Sequence, residues 1–102
     1  MAFGRLGVAE LTADTDTEVY TASTGAAVSI LVLNAANASA KVKLAIVDGA
    51  VADLANEDFI EDTTLPAKDV LERTQIVLGE GETVVVRSDV AGVVVRVHGY
   101  EE

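Results

Sequence analysis

The chain predicts an all-β fold: an antiparallel β-sandwich, jelly-roll-like, of about eight short strands. Three observations carry that expectation. Apolar, β-branched segments recur every 8 to 12 residues or so between clusters of turn formers. No stretch sustains three turns of helical periodicity. Half of the residues are hydrophobic while aromatics make up only 4%, so the core is built from Val, Ala, Leu and Ile.

The elements follow in order. Arg5 to Leu11 is a first strand, weakened by Gly7. Glu18 to Ala22 is a second, ended by a turn at Thr24-Gly25. Ala27 to Asn34 reads as a buried third strand, and Ala35 to Ser39 is a small-residue turn. Ala40 to Val47 alternates cleanly, with Val42, Leu44 and Ile46 on one face and Lys41 and Lys43 on the other. The third and fourth segments are expected to pair as a hairpin. Asp48-Gly49 carries turn chemistry, and Ala50 to Asn56 could hold a helical turn but has no clear cap. Asp58 to Asp62 is a short edge strand, Pro66 marks a turn, and Val70 to Leu78 is a long strand. Gly79 to Glu82 is a tight turn. Thr83 to Ser88 and Val93 to Tyr100 then read as a closing valine hairpin.

With 102 residues the chain makes one domain, 1–102, with one modest core. The run Val93 to Val97 does not alternate. Unbroken runs predict cover on both faces of the sheet. So short a chain has little material for a third layer, so a neighbouring subunit is expected to provide it.

Charge and composition exclude several classes. Seventeen acidic against seven basic side chains give a net charge of −10, which repels nucleic acid and anionic membrane surfaces. The surplus falls mostly outside the predicted strands: Asp14, Asp16 and Glu18, then Glu57, Asp58, Glu61 and Asp62, Glu80 and Glu82, and Glu101 and Glu102. These are expected to be solvated. No cysteine is present, so disulfides, thiolate metal sites and a Cys nucleophile are excluded. No signal peptide is visible, and no window reaches the roughly 20 apolar residues of a membrane-spanning helix.

Candidate chemistry is sparse, and no enzyme, cofactor or metal is expected. His98 is the only histidine, and a regular strand puts it on one face with Arg96 and Tyr100, opposite Val95 and Val97. No serine carries a nucleophile-elbow pattern to partner it. Asp14, Asp16 and Glu18 are spaced two apart, as an oxygen-rich calcium site needs, but the EF-hand Gly and distal Glu are missing. Gly79 to Glu82 is followed by a strand, not by the Lys-Ser/Thr and helix of a phosphate-binding loop. A glycosidase would need two carboxylates facing one another in a cleft, and a chain with two Tyr, two Phe and no Trp has little with which to line it. The basic residues are more informative. Lys41, Lys43, Arg73, Arg87 and Arg96 all fall within predicted strands. Edge protection and ordinary surface pairing are one reading of them; the other is that Arg, which pairs readily with carboxylates at interfaces, meets acidic loops of a neighbouring copy. Arg73, Arg87, Val93, Val95, Arg96, His98 and Tyr100 are therefore the expected contact residues.

Certain residues carry a resemblance. Leu65-Pro66-Ala67-Lys68-Asp69-Val70-Leu71-Glu72-Arg73-Thr74 leads into Ile76-Val77-Leu78. Gly79-Glu80-Gly81-Glu82-Thr83-Val84-Val85-Val86-Arg87-Ser88 follows, and the chain closes on Val93-Val94-Val95-Arg96-Val97-His98-Gly99-Tyr100-Glu101-Glu102. With the opening Phe3-Gly4-Arg5-Leu6-Gly7 and the Val28 to Ile46 region, this resembles a family of small virion structural proteins of tailed bacteriophages. The resemblance implies a non-enzymatic component of the particle, made in the host bacterial cytoplasm, present in many copies and bound to the major capsid or tail protein. Capsid decoration is the leading expectation, as a homo-oligomer such as a trimer. A tail, neck or fibre-associated protein is the alternative within the particle. A carbohydrate- or receptor-binding sandwich, or a calcium-dependent adhesion module, are the alternatives outside it.

Overall fold

Alternating and apolar segments pair into two four-stranded antiparallel sheets in a computed structural model that describes residues 2–102. The strands are β1 (Ala2–Glu10), β2 (Thr17–Thr21), β3 (Ala26–Asn34), β4 (Ala40–Asp48), β5 (Phe59–Leu65), β6 (Val70–Leu78), β7 (Glu82–Ser88) and β8 (Val93–Glu101). The first sheet has the order β1-β8-β3-β6 and the second β2-β7-β4-β5. This is the double Greek key of a jelly roll. No helix among the described residues is long and apolar enough to cross a membrane.

Between the sheets lies the aliphatic core. Val28, Ile30 and Val32 of β3 and Val93, Val95 and Val97 of β8 face Val42 and Leu44 of β4 and Val84 and Val86 of β7. In β4 the expected division holds, with Val42 and Leu44 buried and Lys41 and Lys43 exposed.

Strand pairing corrects the sequence reading. β3 and β4 lie in different sheets, as do β7 and β8, so neither expected hairpin forms. Of the consecutive strands only β4 and β5 pair with each other. A short Gly- or Asn-bearing connector reverses the chain in either case; whether the return strand pairs or crosses the core depends on partners distant in sequence.

On the second sheet a third layer comes from within the chain. On the outer face of the second sheet, Ala45, Val47 and Val85 are covered by Val51 and Leu54 from the β4–β5 connection and by Phe59 at the start of β5. Two 3-10 turns, Val51–Asp53 and Asn56–Asp58, build that arch. Each is closed by an acid that accepts from a backbone amide three residues earlier: Asp53 Oδ2 from Ala50 N at 3.0 Å and Asp58 Oδ2 from Ala55 N at 2.8 Å. The second cover over Val85 thus comes from the chain itself, not from a neighbour. In β8, Val93, Val95 and Val97 are buried whereas Val94 is half-exposed, so this run alternates after all.

Irregularity is confined to the edges. The ladders of the central pairs β3·β8 and β4·β7 run without a shift. All four edge ladders are broken: between Arg5 and Gly7 in β1, between Glu18 and Tyr20 in β2, between Ile76 and Arg73 in β6, and between Phe59 and Glu61 in β5. Gln75, inside the β6 irregularity, has a φ of 58°. Bulges of this kind twist an edge away from pairing with another strand.

Candidate interaction surface

The outer face of the first sheet is built by alternate residues of its four strands. Ladder register sets them in rows. Phe3, Tyr100, Ala27 and Val77 form one end row. Arg5, His98 and Ser29 form the next, then Val8, Arg96, Leu31 and Glu72, then Glu10, Val94, Leu33 and Val70. Only the second row is wholly polar. Among the described residues, six of the seven exposed large hydrophobic ones lie on this face: Phe3, Val8, Leu33, Val70, Val77 and Tyr100. Phe3 and Val77 are each 78% exposed. Two shallow apolar hollows mark the ends, one at Ala27, Val77 and Tyr100, the other of about 320 Å³ at Leu31, Leu33, Val70 and Val94.

The arginines on this face differ from those elsewhere. Arg73 bonds Glu61 at 3.3 Å, and Arg87 lies 3.5 Å from Asp16 and 4.0 Å from Asp14. Among the described residues, Arg5 and Arg96 have no ion-pair partner within the chain.

The seven expected contact residues therefore separate. Arg96, His98 and Tyr100 stand together on the outer face of β8, as the alternation of that strand predicts. Val93 and Val95 point inward and are fully buried, so they offer a neighbour no surface; their valine run is core. Arg73 closes the flank between the edge strands β6 and β5. Arg87 lies on the outer face of the other sheet, beside Lys43 in the ladder.

Arg87, Lys43, Asp16, Asn56 and Phe59 line a polar cleft of about 360 Å³ beneath the arch. Lys43 Nζ stands 5.5 Å from the centroid of the Phe59 ring, which takes up one face of that ring. Asp14 and Asp16, two of the spaced acids, turn to Arg87. Among the described residues no group of three or more acids or histidines is placed to hold a metal ion.

Sequence reasoning missed three residues that shape the surface from behind. Glu101 is not a solvated acid. Its carboxylate accepts from the Tyr20 and Ser23 hydroxyls, from Ser23 N at 3.0 Å and from Thr24 N at 3.3 Å. The Ser23 hydroxyl, then the Tyr20 hydroxyl, hold it at about 2, below its ordinary 4.5. Burial first, and the Glu101 carboxylate second, push Tyr20 well above its ordinary 10. Gly99 is required where β8 meets β3, because a Cβ there would lie 2.2 Å from the Ala27 carbonyl oxygen. Asn34, fully buried, donates from Nδ2 to the carbonyls of Ala38, Leu65 and Pro66 at 2.9, 3.0 and 3.2 Å and accepts from Ala36 N at 3.0 Å. The Leu65-Pro66 corner and the Gly99 to Glu101 stretch thus serve to hold the scaffold together.

No family model, curated protein or solved structure matches the chain.

Proposed function

We propose that this chain is a non-enzymatic structural protein of a tailed-phage particle, a decoration protein that binds the outer shell as an oligomer. One observation carries the reading: the chain covers the outer face of one sheet with its own arch and leaves the other sheet's outer face open and apolar. Such a face marks an interaction site. The blunted edges favour contact through the face over addition of a strand. The resemblance in the Leu65 to Leu78 and Val93 to Glu102 segments supplies the virion context. The work is adhesive: apolar area is removed from water at joints between subunits, and many copies add avidity.

Cryo-electron microscopy of particles made from the genome that encodes the chain tests this. Density for the sandwich repeating over the shell in hundreds of copies is the expected result. A few copies at the neck, tail or fibres would move the protein to that part of the particle, and absence from the particle would end the reading.

A second reading has one observation in its favour. The cleft beneath the arch joins an aromatic ring, Phe59, to the hydrogen-bonding groups of Asp16, Asn56 and Arg87, the kind of lining a carbohydrate-binding sandwich uses. Lys43 over that ring competes with sugar stacking. Binding on a glycan array that is lost in Phe59→Ala would favour this alternative.

A further inference from the structure

We infer that the occupant of the open face is a second copy of this chain, packed face to face about a two-fold axis that runs parallel to the strands between β8 and β3. This deepens the proposed oligomer by naming its contact and symmetry, and it rests on the reading of that face as an interaction surface. Four strands spaced about 4.8 Å apart, nine residues long at about 3.3 Å each, give a flat projection of about 570 Å². Side-chain relief adds to that, and the sum approaches the roughly 800 Å² that each partner gives to a standard interface. An interface between identical surfaces is satisfied by a two-fold.

Residue rows choose the axis. A two-fold along the strands lays β1 on β6 and β8 on β3, keeping each row on itself. Tyr100 of each copy then covers Ala27 of the other, and Phe3 covers Val77, so each large side chain meets a smaller one. The same operation brings Glu72 of the second copy over Val8, beside Arg5 and Arg96. Those are the arginines that lack an ion-pair partner among the described residues. A two-fold perpendicular to the strands instead lays Phe3 on Glu10 and Arg96 on His98. It matches Tyr100 with Val94 and Ala27 with Leu33 in size, but it keeps Glu72 over β6, away from Arg5 and Arg96.

Sedimentation equilibrium of the full chain, with circular dichroism to confirm folding, tests the pairing. The wild type is expected to be a dimer. Glu72→Arg alone places three cations together at each site, and Arg5→Glu with Arg96→Glu places three carboxylates together. Each set is expected to weaken dimerisation at least about tenfold. An equimolar mixture of the two proteins is expected to dimerise again, because the swapped charges then face their opposites. A wild-type monomer at about 1 mM, a trimer, or a mixture no stronger than its separate components would overturn the inference. Occupancy on particles is read independently. A dimer absent from particles would sink the virion reading alone, and a monomer found on the shell would sink the pairing alone.

Discussion

The Tyr20 hydroxyl donates to the Glu101 carboxylate, tying β2 of one sheet to the last residue of β8 in the other. Two flanking bonds extend the tie. Thr24 Oγ1 donates to the Glu102 carbonyl at 2.8 Å, and Glu102 N donates to the Gly25 carbonyl at 3.0 Å. The end of the chain is thereby fixed to the β2–β3 corner, and Tyr100 is fixed on the open face beside it.

Acid should loosen this tie. The folded carboxyl of Glu101 titrates near 2 and an unconstrained one near 4.5, so its contribution is complete above pH 4.5 and disappears as pH falls toward 2. Urea unfolding is expected to find Glu101→Gln less stable than the wild type at pH 6, with the gap closing by pH 2. At the alkaline end the sign reverses, because Tyr20 is held neutral. Its contribution is present below pH 10 and lost above it. In Tyr100→Phe, which leaves one tyrosine, absorbance at 295 nm is expected to show ionisation only as the chain unfolds.

Asn34 holds two connections at once. Its amide meets the carbonyls of Ala38 in the β3–β4 loop and of Leu65 and Pro66 at the β5–β6 corner. Asn34→Ala strands these acceptors in a buried site, and each buried group left unpaired costs about 1 to 3 kcal/mol. Chemical denaturation is expected to show a loss of about 3 kcal/mol, with an unchanged slope. Asn34→Asp is expected to fare no better, because a carboxylate cannot donate.

Gly99 sits in the central β3·β8 ladder opposite Val28. A methyl group at this position would meet Val28 Cα at 2.7 Å as well as the Ala27 carbonyl oxygen, so the two central strands would have to separate. Gly99→Ala is expected to cost about 2 kcal/mol or more and to lower the thermal midpoint by about 10 °C or more. Gly25→Ala makes a useful control, because its nearest contact would be the mobile end of Glu102 at 3.4 Å.

Strands were legible where alternation or β-branching was strong. Val70 to Leu78 has the expected bounds, and Ala40–Asp48 and Ala26–Asn34 differ by one residue. Pairing was not legible, because the connectors after Asn34 and Ser88 carry the same turn chemistry whether the chain stays in a sheet or crosses the core. The outward trio Arg96, His98 and Tyr100 could be read from one strand's period. Burial of Val93 and Val95 in the core could not be separated from a subunit contact, since both bury valine. Gly99 and Glu101 depend on Ala27 and Tyr20, which approach them only in three dimensions. The arch did leave a local signal: Ala50-x-x-Asp53-Leu54 and Ala55-x-x-Asp58-Phe59 repeat one five-residue pattern. In each copy the acid closes a turn and the next residue is apolar.

That arch makes the two faces unequal, and its removal should make them alike. Leu54 and Phe59 pack over Ala45, Val47 and Val85, which are buried although they point away from the main core. Both covering side chains are half-buried, so losing each one costs about 1 kcal/mol, less than the cost for a fully buried residue. Leu54→Ser with Phe59→Ser is therefore expected to leave the sandwich folded, about 2 kcal/mol less stable, with a newly exposed valine patch on the second sheet. Binding of a hydrophobic dye and light scattering should both rise in proportion to protein concentration. If instead Leu54→Ser with Phe59→Ser stays as dispersed as the wild type, the self-made cover over Val85 is not what keeps that face from sticking.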